Sequence, residues 1–128
     1  MTRDSINVQY PSVETTQSVG SVVVTKTAIS ASNGAVISKA FANKNNTLFI
    51  CVDNTANAAA NITFKAGDAY PNAMLGDLSS SVGSGKTVVF QIQDISRFEN
   101  KDGSLNIDFA VGFTGYIYAV AKPTTLNS

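Results

Sequence analysis

The sequence predicts an all-β fold, a single sandwich of short antiparallel strands, and three observations predict it. Helical periodicity is nearly absent along the 128 residues. The apolar residues fall in short runs rich in Val, Ile, Thr, Phe and Tyr, the types that suit a pleated surface. Clusters of Gly, Asn, Asp and Ser separate these runs at close intervals, the spacing habit of two-sheet sandwiches and barrels.

Residues 1–18 contain Pro11 and few core-forming side chains, and they read as an arm outside the sandwich. That arm is either a frayed end or a strap laid across a neighbour. Val19 to Ile29 is rich in Val and Thr, and Ser32-Asn33-Gly34 then turns the chain into Ala35 to Phe41. Asn-Gly between two such runs is a strong hairpin signal. In Thr47 to Asp53, alternation puts Leu48, Ile50 and Val52 on one face, and Ile62 and Phe64 follow on the same side after a small-residue loop.

Gly67 to Gly76 is the longest irregular stretch. Asp77 to Val82 and Lys86 to Gln93 are expected to pair around Gly83-Ser84-Gly85, and Asp94 to Phe98 reads as a short turn with Asp94 capping its N–H groups. Asn100 to Gly103 turns into a strand with Leu105, Ile107 and Phe109 on one face, and Thr114-Gly115 leads into Tyr116 to Ala121 before Pro123. About eight strands result, the number of a jelly-roll-like sandwich. The expected layout is an arm over 1–18, a sandwich over 19–123 and a tail over 124–128.

Composition excludes several function classes. Charged residues are only 14% of the chain, and nine basic residues balance nine acidic ones. Neither nucleic acid nor an anionic membrane is an expected partner of so even a balance. Low charge in a chain rich in Ser, Thr, Asn and Ala suits a protein that works packed into an assembly. Cys51 is the sole cysteine, so no internal disulfide and no thiolate zinc site can form. Within Leu48 to Val52 it reads as a small inert hydrophobe. The first residues carry no apolar leader and no stretch reaches membrane-span length, which predicts synthesis in a cytosol. The sequons at Asn45 and Asn61 then count as coincidence.

"SVGSGKTVVF" (Ser81–Phe90) invites a phosphate-loop reading through Gly85-Lys86-Thr87. The loop needs a glycine where Ser80 stands and a helix after Lys86, whereas Thr87 to Gln91 has the alternation of a strand. There is no histidine, which removes Ser-His and Cys-His nucleophile pairs and the commonest metal ligand. Asp102 and Asp108 are a formal carboxylate pair, but Asp108 alternates with core positions and Asp102 precedes a turn glycine. Asn100, Asp102 and Asp108, or Asp68 with Asp77, offer oxygen ligands without the spacing of a helix–loop–helix calcium site, whose first ligand would fall on Phe98. Tyr10, Tyr70, Tyr116 and Tyr118 could stack on sugars, but no tryptophan joins them, and Tyr116 and Tyr118 share a strand face that suits a core. No catalytic residue, metal or cofactor is expected.

One segment carries a resemblance. "RFENKDGSLNIDF" (Arg97–Phe109), followed by Gly115 and the strand to Ala121, resembles the C-terminal half of small tailed-bacteriophage virion proteins. "NTLFICVDNTANAAANITFKAGD" (Asn46–Asp68) is similar to their paired strands joined by a polar loop. The likeness covers roughly residues 46–123. It implies a capsid decoration or cement protein on the outside of the virion, made in the bacterial cytoplasm, bound to the major capsid protein and self-associated as a homotrimer. A neck, tail or fibre-base position stays open, as does a carbohydrate-binding adhesion module. The contact residues expected are Val8, Tyr10, Pro11 and Val13 of the arm, and Tyr70, Pro71 and Met74 of the long loop.

Overall fold

The computed structural model describes residues 3–9, 23–38, 48–68, 76–92 and 95–121. They form two mixed sheets with a core between them and a single helical turn. The strands are β1 (Asp4–Ile6), β2 (Val8–Gln9), β3 (Thr27–Ala28), β4 (Ala35–Ile37), β5 (Leu48–Asn54), β6 (Ala60–Phe64), β7 (Leu78–Val82), β8 (Thr87–Gln91), β9 (Leu105–Phe109) and β10 (Gly115–Ala121), with α1 (Ile95–Phe98) between β8 and β9. The first sheet runs β1-β4-β9-β6-β7; the second runs β2-β10-β5-β8, with β3 also on β10.

Alternation places the core where the sequence puts it. Leu48, Ile50 and Val52 of β5, Ile62 and Phe64 of β6, and Leu105, Ile107 and Phe109 of β9 all point between the sheets and are buried. Ile37 from β4 and Ile117 and Ala119 from β10 complete the layer. Burying each large side chain stabilises by about 1.5–3 kcal/mol before ordering costs. Phe64 is the hub at one end, meeting Phe90 and Phe98 edge-on at centroid separations of 5.2 and 6.2 Å. At the other end Phe109 meets Phe113 at 5.3 Å.

The strand pairings correct three expectations. Gly83-Ser84-Gly85 does not close a hairpin: β7 pairs with β6 in the first sheet and β8 with β5 in the second. The turn arches across the core because its backbone is tied to the end of β5. Gly85 N donates to Asn54 O at 2.8 Å and Asn54 N donates to Lys86 O at 3.0 Å. The apolar length of β5 also offers β8 a better partner than Leu-Ser-Ser-Ser-Val of β7. The Asn33-Gly34 turn is likewise an arch, with β3 on β10 and β4 on β9. The chain also changes sheet between β5 and β6 and between β9 and β10; of the consecutive strands from β3 onward, only β6 and β7 pair directly.

The third correction concerns the N-terminus. Residues 4–9, expected outside the sandwich, are part of it. β1 pairs with β4 and β2 with β10, both in parallel rather than antiparallel. Ile6 is 2% exposed, and Val8 packs against the core. The segment crosses from one sheet to the other and satisfies the edges of β4 and β10, which exposed would template foreign pairing. Residues 10–18 of the expected arm, the tail over 124–128 and Asp94 lie outside the described residues.

Candidate functional site

The outward faces of the two sheets differ in chemistry. On the first sheet the outward positions include Ser5 (β1), Val36 (β4), Asn106 and Asp108 (β9), Asn61 and Thr63 (β6), and Ser79 and Ser81 (β7), of which only Val36 is apolar. Asp108, expected to face solvent, does so between two cations. Arg3 donates to its carboxylate and, at 2.7 Å, to Ile107 O, while Lys65 Nζ lies 3.7 Å from its other oxygen. Lys65 also donates to Asp77 at 2.7 Å, and Asp77 accepts from Ala66 N at 2.7 Å. Arg97 fixes the strand beyond by donating to Gly76 O and Asp77 O.

This network carries a pH dependence. The hydrogen bond from Lys65 holds the Asp77 carboxyl below its ordinary value of 3.8, helped by Ala66 N. The same bond raises the Lys65 ammonium above 10.5. A depressed carboxyl adds stability above its unfolded value and loses it as pH falls through the folded one, while the raised ammonium loses its share only above pH 10.5. With side chains 35% and 40% exposed, the pair is worth under about 1 kcal/mol. Thermal unfolding should therefore show a small drop in midpoint between about pH 5 and about pH 2. Asp77→Asn should lower the midpoint at neutral pH and flatten that drop; an unaltered acid limb would refute the assignment.

Beside Arg3 lies a recess of about 360 Å³ lined by Val36, Asp68, Asn100, Asp102, Ser104 and Asn106. Its floor is a closed hydrogen-bond circuit. Asn100, 8% exposed, accepts from Asp68 N and donates to Ser104 Oγ, and Asp68 accepts from Lys101 N. Asp102 accepts from both the hydroxyl and the backbone N–H of Ser104, and that hydroxyl holds its carboxyl below the ordinary value. Both bonds from Ser104 tie the Asp102 carboxylate into the turn at Gly103. Among the described residues no three Asp, Glu or Cys side chains converge as a metal set.

The second sheet turns a different face outward. Its central row is Val89 (β8), Cys51 (β5) and Tyr118 (β10). One flanking row holds Gln91, Phe49, Val120 and Gln9, and the other Thr87, Asp53, Tyr116 and Ala28. Val89, Tyr116 and Phe49 are 57%, 44% and 37% exposed. Asp53 is the one charged residue in these rows, and Lys26 neutralises it at 3.3 Å while lying over the Tyr118 ring. Cys51 sits beneath its neighbours, where burial pushes its thiol up and keeps it from reacting as a thiolate. A smaller apolar recess of about 220 Å³ opens between β7 and β8, lined by Phe64, Leu78, Phe90, Ile92 and Phe98 under Arg97.

Of the expected contact residues, Val8 lies in β2, half-buried and packed against the core. Tyr10, Pro11, Val13, Tyr70, Pro71 and Met74 lie outside the described residues. Tyr116 and Tyr118, read as suiting a core, occupy the outer face instead. A strand follows Lys86, as the rejection of a phosphate loop requires. The outer face of the second sheet has a signal in the sequence. Leu48 to Val52 and Tyr116 to Ala121 are unbroken apolar runs, the pattern of strands covered on both faces. Comparison with protein-family models, with curated proteins and with solved structures gives no match.

Proposed function

We propose that this chain is a non-enzymatic structural protein of a tailed-phage virion, a decoration subunit that binds the outside of the major capsid shell as a homo-oligomer, with a trimer expected. The observation that carries the proposal is the contrast between the two outer faces. A sandwich working alone in water is expected to be polar on both, and this one turns Val89, Tyr116 and Phe49 outward on the second sheet, with Asp53 the one charged residue in those rows. The strand order supports a finer reading of the fold as a jelly roll. Strands β3-β10-β5-β8 face β4-β9-β6-β7, and apart from the paired β6 and β7 the chain feeds these two four-stranded sheets alternately. That architecture recurs in viral capsid and lectin domains. We favour the capsid setting because Arg97–Phe109 and Asn46–Asp68 resemble segments of phage virion proteins.

Titration of emptied phage heads with the purified chain tests the proposal. Saturable binding at a fixed number of copies per shell is the expected result, and absence of binding to heads of the phage that encodes the chain would overturn it. A sugar-binding role is the second reading, favoured by the recess at Asp68, Asn100, Asp102 and Asn106, whose amides and carboxylates match sugar hydroxyls. Glycan-array binding abolished by Asn106→Ala would select it.

A further inference from the structure

We propose that Asn33 is a site of covalent modification: its amide is lost to attack by the Gly34 nitrogen, β1 holds that reaction back, and the product keeps β1 from docking again. Asn33 is the one asparagine in the chain that is followed by glycine. The step needs such a neighbour, because a Cβ on the next residue hinders the approach of its backbone nitrogen to the side-chain carbonyl carbon. Gly34 N bonds to Asn33 Cγ, the Cγ–Nδ2 bond breaks, and the proton lost from Gly34 N departs, by way of water, with the ammonia. Water then opens the cyclic imide at either carbonyl, so the chain continues through aspartate or through isoaspartate. Water is the only reactant consumed.

In the folded chain both reacting nitrogens are held. Gly34 is buried and its N–H donates to Ser30 O at 2.9 Å. Asn33 Nδ2 donates to Asp4 Oδ1 at 3.1 Å. Ring closure must break both bonds, since one nitrogen gives up its proton and the other leaves. β1 and the residue before it form the cover. Asp4 N donates to Gly34 O at 3.1 Å, and a carbon added to Gly34 would sit 2.6 Å from Arg3 Nη1 and 2.8 Å from Ile107 O. The turn becomes reactive when Arg3 to Ile6 lifts from β4, a local opening rather than a global one.

Either product blocks the return. A carboxylate at position 33 can only accept, and it meets the Asp4 carboxylate where an N–H donor stood, so like charges face each other. Isoaspartate also adds a carbon to the main chain just ahead of Gly34, where Arg3 and Ile107 O leave no slack. β1 then stays off, the buried Ile6 leaves the core, and the edge of β4 is opened to pairing with another strand. None of this depends on the virion reading.

The test follows the full chain in mildly alkaline buffer below its unfolding midpoint. The mass of peptide Thr27–Lys39 is read over time, with the chain in urea as the unprotected reference. The folded wild type should lose the amide more slowly than the unfolded chain, and Asp4→Ala, which removes one anchor of β1, about fivefold faster than wild type. Val82→Ala weakens the core at β7, the opposite edge of the same sheet, and should react at the wild-type rate. Equal rates in wild type and Asp4→Ala, equal acceleration by Val82→Ala, or no reaction of Asp4→Ala over a period that converts the unfolded chain overturns the gate. Hydrogen exchange reads the second half. Asn33→Asp, the acid product, should lose protection at Asp4–Ile6 while β5 and β10 keep theirs. Adding Asp4→Asn exchanges amide and carboxylate and should restore that protection. Wild-type protection in Asn33→Asp, or a double variant no better protected than the single one, overturns the blockade.

Discussion

Gly115→Ala should unfold the protein or cost more than about 3 kcal/mol, a midpoint loss of about 10 °C or more. Gly115 opens β10 at φ +143°, a conformation side chains rarely adopt, and its backbone is pressed onto the end of β5. A Cβ there would lie 2.9 Å from the Asp53 carbonyl carbon, closer still to its oxygen, and 3.2 Å from Thr55 N. No rotamer relieves this, because the obstacle is backbone on both sides. Neither strand can retreat, since Thr55 N donates to Thr114 O and Ile29 N donates to Gly115 O, each at 2.9 Å. β10 lies at the middle of the second sheet, so the clash propagates to β2, β3 and β5 together. Gly112→Ala is the control: its φ is +88° but nothing lies within 4 Å of the added carbon, and only the conformational cost of about 1–2 kcal/mol should remain. Urea unfolding followed by circular dichroism and tyrosine emission measures both. Equal losses at the two sites would show that conformation, and not the contact with Asp53, accounts for the effect.

What could be read in advance follows from what each signal encodes. Period-two alternation fixes which way side chains point, so the inward sets Leu48/Ile50/Val52 and Leu105/Ile107/Phe109 were legible. Turn chemistry fixes where the chain reverses but not which sheet each arm enters. Asn33-Gly34 and Gly83 to Gly85 were therefore legible as turns and misread as hairpins. The N-terminal strands were hidden for another reason. Asp4-Ser5-Ile6 has little strand propensity of its own, and its pairing is decided by the open edge of β4 and by Arg3 anchored on Ile107 O and Asp108. The outer apolar face is present as unbroken runs, but period two identifies only one buried side of a strand and is silent on whether the other is also covered.

Asn54→Ala should cost about 2–4 kcal/mol, the largest effect expected from one polar side chain in the described fold. Asn54 ends β5 at 1% exposure and joins three segments that otherwise share no strand pairing. Its Nδ2 donates to Val82 O at 2.9 Å and to Ala58 O at 3.1 Å, and its Oδ1 accepts from Ala56 N at 2.9 Å. Truncation would strand two carbonyls and one N–H in a site with little water, and would loosen the arch that sends β8 to the second sheet. Asn54→Asp separates the bonds from the shape. The carboxylate can still accept from Ala56 N but faces two carbonyls, and burial raises its pKa. Its penalty is then fully present at high pH and is relieved as pH falls through that raised value, when one oxygen gains a proton to donate. The variant should gain stability on mild acidification, while the wild type, through Asp77, loses it only at lower pH. Midpoints of Asn54→Asp that stay flat or fall over that range would mean that Val82 O and Ala58 O do not depend on the Asn54 amide, and the arch would need another anchor.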